Sequence, residues 1–372
     1  MNNVSLKKNT VPADLYDDND PVLDHECTSW MVFSDLTKNN TNILHKNRDF
    51  RKRDIVVHLS PAGSGRKWVA LGSIGGTNMG MNVSGLAGIM NSGEKCINHS
   101  TDESKKTTPK IMQEILSNCD TAAQAVEMLK QFIAAGDYYH GEKGSIFFFM
   151  DTCEGYVCEL TARDCIVQPY SSGYTVRANI WLNPGMQFYS RNSVDNYLNS
   201  AARMHVAFTG LNQALEKHGK ITIEDIFDLS RHCKMPEESS EKRSLCFVRT
   251  NSTASLEIDK EYPDVLSTGY FTIGHPRHTV YVPVPVCVEK VLPAMSDLTW
   301  SAAAFKRFDE MGYDSEVPAE WLEFEKRFMA SYSDTKAEAR KLLADGKRSE
   351  AIDLLNRSAA AIWQEAAALL GL

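Results

Sequence analysis

Apolar and polar residues alternate from residue 30 to residue 57, a period-2 pattern that predicts a strand, a polar connection over 35–41 and a second strand opening at Asn42. Shorter runs bounded by Gly or Asn predict further strands over 67–71 and 86–90. The period then changes to that of a helix. Residues 109–118 and 121–134 carry amphipathic stripes, with Ala125, Met128, Leu129 and Phe132 on one face and Thr121 placed as an N-cap. Strands return over 145–150, 156–160, 165–167 and 174–178, and the unbroken apolar run from Ile146 to Met150 predicts burial on both faces. Helices over 193–217 and 222–232 precede strands over 245–249, 253–258, 270–273 and 279–284. Beyond Ala294 the chain is rich in Ala, Glu and Lys and predicts helix to Leu372, most clearly over 335–344 and 349–370. Strands, helices, strands, helices in that order predict two packed sheets with helices outside.

With 372 residues, 43% of them hydrophobic and 24% charged, the chain can bury a substantial core. A formal net charge of -8 argues against nucleic acid as a partner, which calls for clustered Lys and Arg. The run Arg51-Lys52-Arg53 reads as a solvated strand end. No stretch is long and apolar enough for a membrane helix, and residues 1–26 lack the apolar centre of a secretory signal, so no membrane partner and a cytoplasmic location are expected. Nine scattered cysteines suit free thiols. Cys153, Cys158 and Cys165 lack the Cys-x-x-Cys spacing of a zinc site, and neither metal nor cofactor is expected.

The candidate chemistry begins at Cys27-Thr28-Ser29-Trp30, behind a polar leader rich in Asn, Asp and Lys. If the bond between Glu26 and Cys27 is cut, Cys27 holds a thiol and a free α-amine on one residue. These groups titrate near about 8.5 and about 8, so the amine can take the thiol proton near neutral pH without a histidine. An acceptor must orient that amine, and Asp49 in Lys46-Asn47-Arg48-Asp49-Phe50 is the candidate. Further along stand Asn82-Val83-Ser84-Gly85-Leu86-Ala87-Gly88, Val176-Arg177-Ala178-Asn179, Cys246-Phe247-Val248-Arg249-Thr250, and Ile273-Gly274-His275-Pro276 with Tyr281-Val282-Pro283.

In their order and spacing, over roughly residues 27 to 290, these segments resemble the N-terminal-nucleophile cysteine hydrolases of the isopenicillin-N acyltransferase and choloylglycine hydrolase type. The resemblance implies an α+β fold, a four-layer αββα sandwich. It divides the chain into a propeptide or flexible leader over 1–26, a catalytic domain over 27–294, and a helical extension over 295–372 packed on the same domain. It implies a zymogen that cleaves itself and then splits a linear carbon-nitrogen amide through a thioester, with a small-molecule amide as partner. Asn179 matches the family Asn that supplies an oxyanion donor, although Ile180 stands where the family often has His, and Asn183 competes for the role. Asn91 resembles a second Asn near the oxyanion, with Asn78 and Asn82 as alternatives. Lys46 occupies the slot of a family Arg close to the sulfur and keeps its charge without the planar fork, where a cation favours thiolate. Arg249 matches a later Arg that polarises the site.

Three substrate groups fit the resemblance: N-acyl amines or amino acids, bile-acid or penicillin amides, and dipeptides cleaved by related cysteine dipeptidases. The long helical extension and the Lys-Asn-Arg-Asp strand favour the first. Two other readings stand beside these. A binding protein that never loses its leader is suggested by the bulky, charged Glu26 before the nucleophile, and a Cys-His enzyme would draw on His232, His275 or His278. The helical extension is equally compatible with packing on the core and with a homo-oligomer interface.

Overall fold

The structure, a computed structural model, describes residues 26–233 and 244–372. Apart from Glu26, the leader expected over 1–26 therefore lies outside the described residues.

The chain opens with two strands buried along their whole length, β1 (Glu26–Val32) and β2 (Asn42–Asp49). They pair antiparallel so that Cys27 lies opposite Arg48 and Glu26 opposite Asp49. A second sheet follows as an uninterrupted antiparallel meander: β3 (Ile55–Leu59), β4 (Trp68–Ser73), β5 (Met79–Asn82) and β6 (Ala87–Lys95), then β7 (Lys143–Met150), β8 (Gly155–Leu160) and β9 (Cys165–Tyr170). Helices α1 (Thr108–Asn118) and α2 (Ala122–Ala134) lie between β6 and β7 in the chain. β10 (Tyr174–Arg177) returns to the first sheet beside β1.

A one-turn helix α3 (Pro184–Gln187) precedes α4 (Val194–His218) and α5 (Ile223–Ser230). Local chemistry sets these boundaries. Ser193 accepts from the Asn196 N–H to start α4, and Gly219 closes it with a left-handed φ of 70° that a side chain would oppose. Thr222 and Asp225 form a reciprocal capping box on α5. β11 (Thr250–Ile258), α6 (Pro263–Leu266), β12 (Thr268–Thr272) and β13 (Val282–Pro285) complete the first sheet, whose order is β10-β1-β2-β11-β12-β13. The chain ends in α7 (Thr299–Met311), α8 (Ala319–Ala344) and α9 (Arg348–Leu369).

Side-chain alternation divides the core into layers. Along β7, Phe147 and Phe149 join Ile111, Ile115 and Leu129 of α1 and α2, whereas Ile146, Phe148 and Met150 join the core between the sheets. Phe227 of α5 stacks on Tyr281 at 3.7 Å, and Trp363 of α9 donates to the Pro283 carbonyl at 2.7 Å, so helices also cover the first sheet. The result is α, β, β, α, the sandwich expected from the strand and helix order.

One expected strand is absent. Residues 245–249 form a turn, because the Thr250 N–H donates to the Phe247 carbonyl at 2.9 Å, the Phe247 N–H donates to Thr250 Oγ1 at 3.0 Å, and Asn47 Nδ2 donates to the Leu245 carbonyl at 2.6 Å. Those groups are thereby withdrawn from any ladder. β3 and β5, not separately expected, are short strands between strong turns.

α8 is tied to the rear of the domain by Glu325, whose carboxylate receives both Arg231 Nη1 at 2.6 Å and Nη2 at 2.7 Å, and the Tyr281 N–H at 2.7 Å. Both partners of this ion pair are buried. Removing one leaves an uncompensated buried charge, so Glu325→Ala is expected to lower the unfolding free energy by about 3–5 kcal/mol, read by urea denaturation.

Candidate active site

The pleat of β1 sorts the site into two faces. Ser29 donates to Asn91 Oδ1 on β6 at 2.7 Å, so Ser29 and Cys27 project between the sheets. Glu26 and Thr28 project the other way and meet α4: Asn199 Nδ2 donates to Glu26 Oε1 at 2.5 Å, and Arg203 Nη1 donates to Thr28 Oγ1 at 2.8 Å. The same rule places Lys46 and Arg48 on the inter-sheet face of β2. Lys46 Nζ donates to the Met90 carbonyl, and Arg48 Nη2 donates to Ser73 Oγ at 3.1 Å. Asp49 lies on the α4 face, where its Oδ1 accepts from Thr250 Oγ1 at 2.6 Å and its Oδ2 lies 4.0 Å from Arg203 Nη1.

Cys27, 4% exposed, lines a cavity of about 500 Å³ together with Lys46, Arg48 and Asp49. Burial pushes the Lys46 ammonium below its usual range, and the charge and hydrogen bonding of Cys27 beside it oppose that shift. Burial raises the Asp49 carboxyl to about 7, against the opposing pull of Arg203 and of the Thr250 hydroxyl.

Asn179 meets the backbone of Cys27 directly. β10 ends at Arg177, and continuing its register with Ser29 by two residues brings Asn179 opposite Cys27. The ladder is completed by a side chain: the Cys27 N–H donates to Asn179 Oδ1 at 2.8 Å. With the Glu26–Cys27 bond intact, the partner of this N–H is thus Asn179. Arg203 Nη2 also donates to Oδ1 at 2.8 Å, and two donors on that oxygen turn Nδ2 toward the Ser92 carbonyl at 2.8 Å. Asn183, the competitor, serves instead as the N-cap of α3 by accepting from the Gly185 N–H.

The remaining candidates sit differently. Asn91 is fully buried between the sheets, with Oδ1 on Ser29 and Nδ2 donating to the Ala178 and Arg177 carbonyls at 3.1 and 3.4 Å. It braces the backbone leading into Asn179. Asn82 Nδ2 ties the Leu116 and Cys119 carbonyls, both at 2.8 Å, whereas Asn78 lines the cavity. Arg249, in the turn before β11, gives its carbonyl to the Phe50 N–H at 2.9 Å and is not among the residues lining the cavity. His275 packs against Cys246 Sγ at 3.6 Å in a fully buried pair away from the cavity, and burial drives the imidazole toward neutrality and the thiol toward protonation. His278 bonds the Gly312 carbonyl at 2.9 Å.

Several residues that hold the candidate site together lie outside the sequence motifs. Arg203, with a fully buried side chain, donates to the Cys27 carbonyl at 2.7 Å as well as to Thr28, Asn179 and Asn199. Glu94 Oε1 accepts from the Trp181 N–H, and the two oxygens of Glu159 accept from the Leu182 and Asn183 N–H groups, all at 2.9 Å. These carboxylates from the second sheet pin the loop that bears Asn179. The signal available in sequence was the helical spacing of Asn199 and Arg203, polar residues one turn apart on α4. No group of His, Cys, Asp or Glu among the described residues could hold a metal ion, and no described helix is long and apolar enough to cross a membrane.

A scan against protein-family models finds no match to this sequence, and a search of curated proteins finds none either. Among solved structures, a cysteine-to-alanine variant of conjugated bile acid hydrolase from Clostridium perfringens aligns with a TM-score of 0.46 and 12% identity, covering 72% of this chain and 95% of that one. An arginine-to-leucine variant of the same hydrolase gives 0.47 and 12%, covering 71% and 95%. Penicillin V acylase from Agrobacterium tumefaciens gives 0.44 and 14%, covering 70% and 86%.

Asp49 offers a direct check on this electrostatics. A carboxyl whose folded value is raised from 3.8 to about 7 stays protonated in the folded chain where the unfolded chain is already ionised. Stability is therefore lost as pH rises from about 4 to about 7. In a Cys27→Ala background, Asp49→Asn is expected to gain thermal stability over the Cys27→Ala chain as pH goes from 5 to 8. A difference in melting temperature that stays flat across this range would contradict a raised Asp49.

Proposed function

We propose that the chain cuts itself between Glu26 and Cys27 and then acts as an N-terminal cysteine amidase, opening a linear carbon-nitrogen amide through a thioester. The observation that carries this reading is the convergence on one residue: the Cys27 sulfur faces Lys46 and the cavity, while its backbone N–H and carbonyl are gripped by Asn179 and Arg203. Once freed, the α-amine accepts the thiol proton as Sγ attacks the amide carbonyl, then passes it to the leaving amine. Lys46 favours the thiolate. Asn179, its Oδ1 turned to the amine and Arg203, presents Nδ2 to the developing oxyanion. Water completes hydrolysis, or a second amine completes transfer. Asp49, ionising near neutrality one residue along the ladder from Cys27, supplies an anionic acceptor for the α-ammonium.

The burial of Glu26 favours a second reading, in which the leader stays attached and the cavity only binds. Intact mass separates the two. The parent is expected to lose residues 1–26 and Cys27→Ala to retain them, with the cut parent hydrolysing at least one simple anilide. In the cut form, Asn179→Ala should lower kcat by about 100- to 1,000-fold. A parent that keeps its leader and turns over no amide would leave only the binding reading.

A further inference from the structure

Glu26 is an awkward residue to find at a bond that is to be cut, yet the fold builds a place for it. Its side chain is buried and held by Asn199. Beside it lies a polar pouch with about 20 Å³ still open, lined by Asn179, Asn192, Asn196 and Ser200 and, at its edge, by Lys95 and Lys143. Both lysines also line the main cavity, so the pouch lies beside that cavity across Lys95 and Lys143. The main cavity adds Lys46, Arg48 and Lys52, against Asp49 and Glu142 as its acidic groups. Arg48, buried, hydrogen-bonds neutral partners, Asn251 Oδ1 at 3.3 Å and Ser73 Oγ at 3.1 Å, and lies over the Phe50 ring at 4.8 Å, while Asp54 and Asp49 act on its charge from nearby and Lys95 pairs with Glu142 at 3.4 Å. Such a wall suits an anionic guest.

We propose that the pouch around Glu26 is the acyl-binding subsite of the mature protein, and that it selects amides whose acyl group is a glutamyl residue or carries a carboxylate at the same reach. This rests on the amidase reading. In self-cleavage Cys27 Sγ bonds to the Glu26 carbonyl carbon, the bond from that carbon to the Cys27 nitrogen breaks, and the thiol proton ends on the released amine. The product is a thioester between Glu26 and Cys27 Sγ with a free α-amine on the same residue. An acyl-enzyme made from an external amide has the same connectivity. Water then adds to the thioester carbon, the carbon-sulfur bond breaks, the thiol is restored and Glu26 leaves as a carboxylic acid. Maturation thus hydrolyses a glutamyl thioester once, and the departing side chain vacates Asn199 and its neighbours for the next acyl group.

The test compares three coumarin amides on the full chain after it has cut itself: N-acetyl-L-glutamyl, N-acetyl-L-glutaminyl and phenylacetyl. The glutamyl amide is expected to exceed the glutaminyl one in kcat/KM by about tenfold or more, since a site built for a polar group discriminates strongly. Asn199→Asp, which sets a like charge against the acyl carboxylate, should lower that ratio by about tenfold or more. Lys143→Met, at the edge of the pouch, should lower it in the same sense and serves if the first variant does not fold. The ratio is the readout, because a general loss of activity would move both substrates together. Cleavage of the phenylacetyl amide with no preference for glutamyl over glutaminyl would overturn this subsite while leaving the amidase reading intact. A chain that neither cuts itself nor cleaves any of the three would overturn the amidase reading and the subsite with it.

Discussion

A fully buried guanidinium organises this molecule. Arg203 reaches from α4 to the Cys27 carbonyl, the Thr28 hydroxyl, the Asn179 amide oxygen and the Asn199 side chain, and lies 4.0 Å from Asp49. A cation this deep is tolerated only when its donors are met and a counter-charge is near. The first condition fixes the backbone of Cys27 and the orientation of Asn179 in one stroke. The second is only partly met, since the Asp49 carboxyl is itself raised by burial. Loss of Arg203 would release α4, the strand and the loop together.

The second constraint is the gap between the sheets. Asn91 bonds β6 to Ser29 on one side and to the end of β10 on the other, and Glu94 and Glu159 reach across from the second sheet to hold the loop at 181–183. All three use charged or amide groups where an apolar core would be the simpler choice. Their effect is directional: apolar packing would let the loop slide, whereas these bonds place Asn179 on the one rung of the ladder opposite Cys27.

Much of this was legible in the sequence because strand periodicity is a strong signal. The alternation already implied a strand opening at Asn42 and running through Lys46, Asn47, Arg48 and Asp49 after a polar connection over 35–41, and two packed sheets with helices outside followed from the succession of elements. The turn at 245–249 was hidden because an apolar run gives no sign that Thr250 and Asn47 will capture its backbone. Asn91 reads in sequence as a candidate donor, and only its three partners show that its amide is already occupied. Arg203 and Asn199 lie about 150 residues or more from the strand they touch, and contacts between distant segments leave little trace in a single chain. Arg249 carries a matching motif, but the turn that replaces the expected strand gives its backbone, through the Phe50 N–H, a structural task.

β1 is paired with β2 from Glu26 onward, and on its other flank Asn179 Oδ1 holds the Cys27 N–H before pairing with β10 begins at Ser29. A break at its leading edge would therefore release material on one side alone. A chain that began at Cys27 would still be held there by β2 and by the Asn179 side chain within the six-stranded sheet, whereas anything ahead of the break would no longer be tied to it by the chain. Rejoining the two ends would require the departed piece to return and be ordered again at an entropic cost. The fold thus acts as a ratchet at this position: whatever chemistry opens the bond, the sheet makes the opening hard to undo.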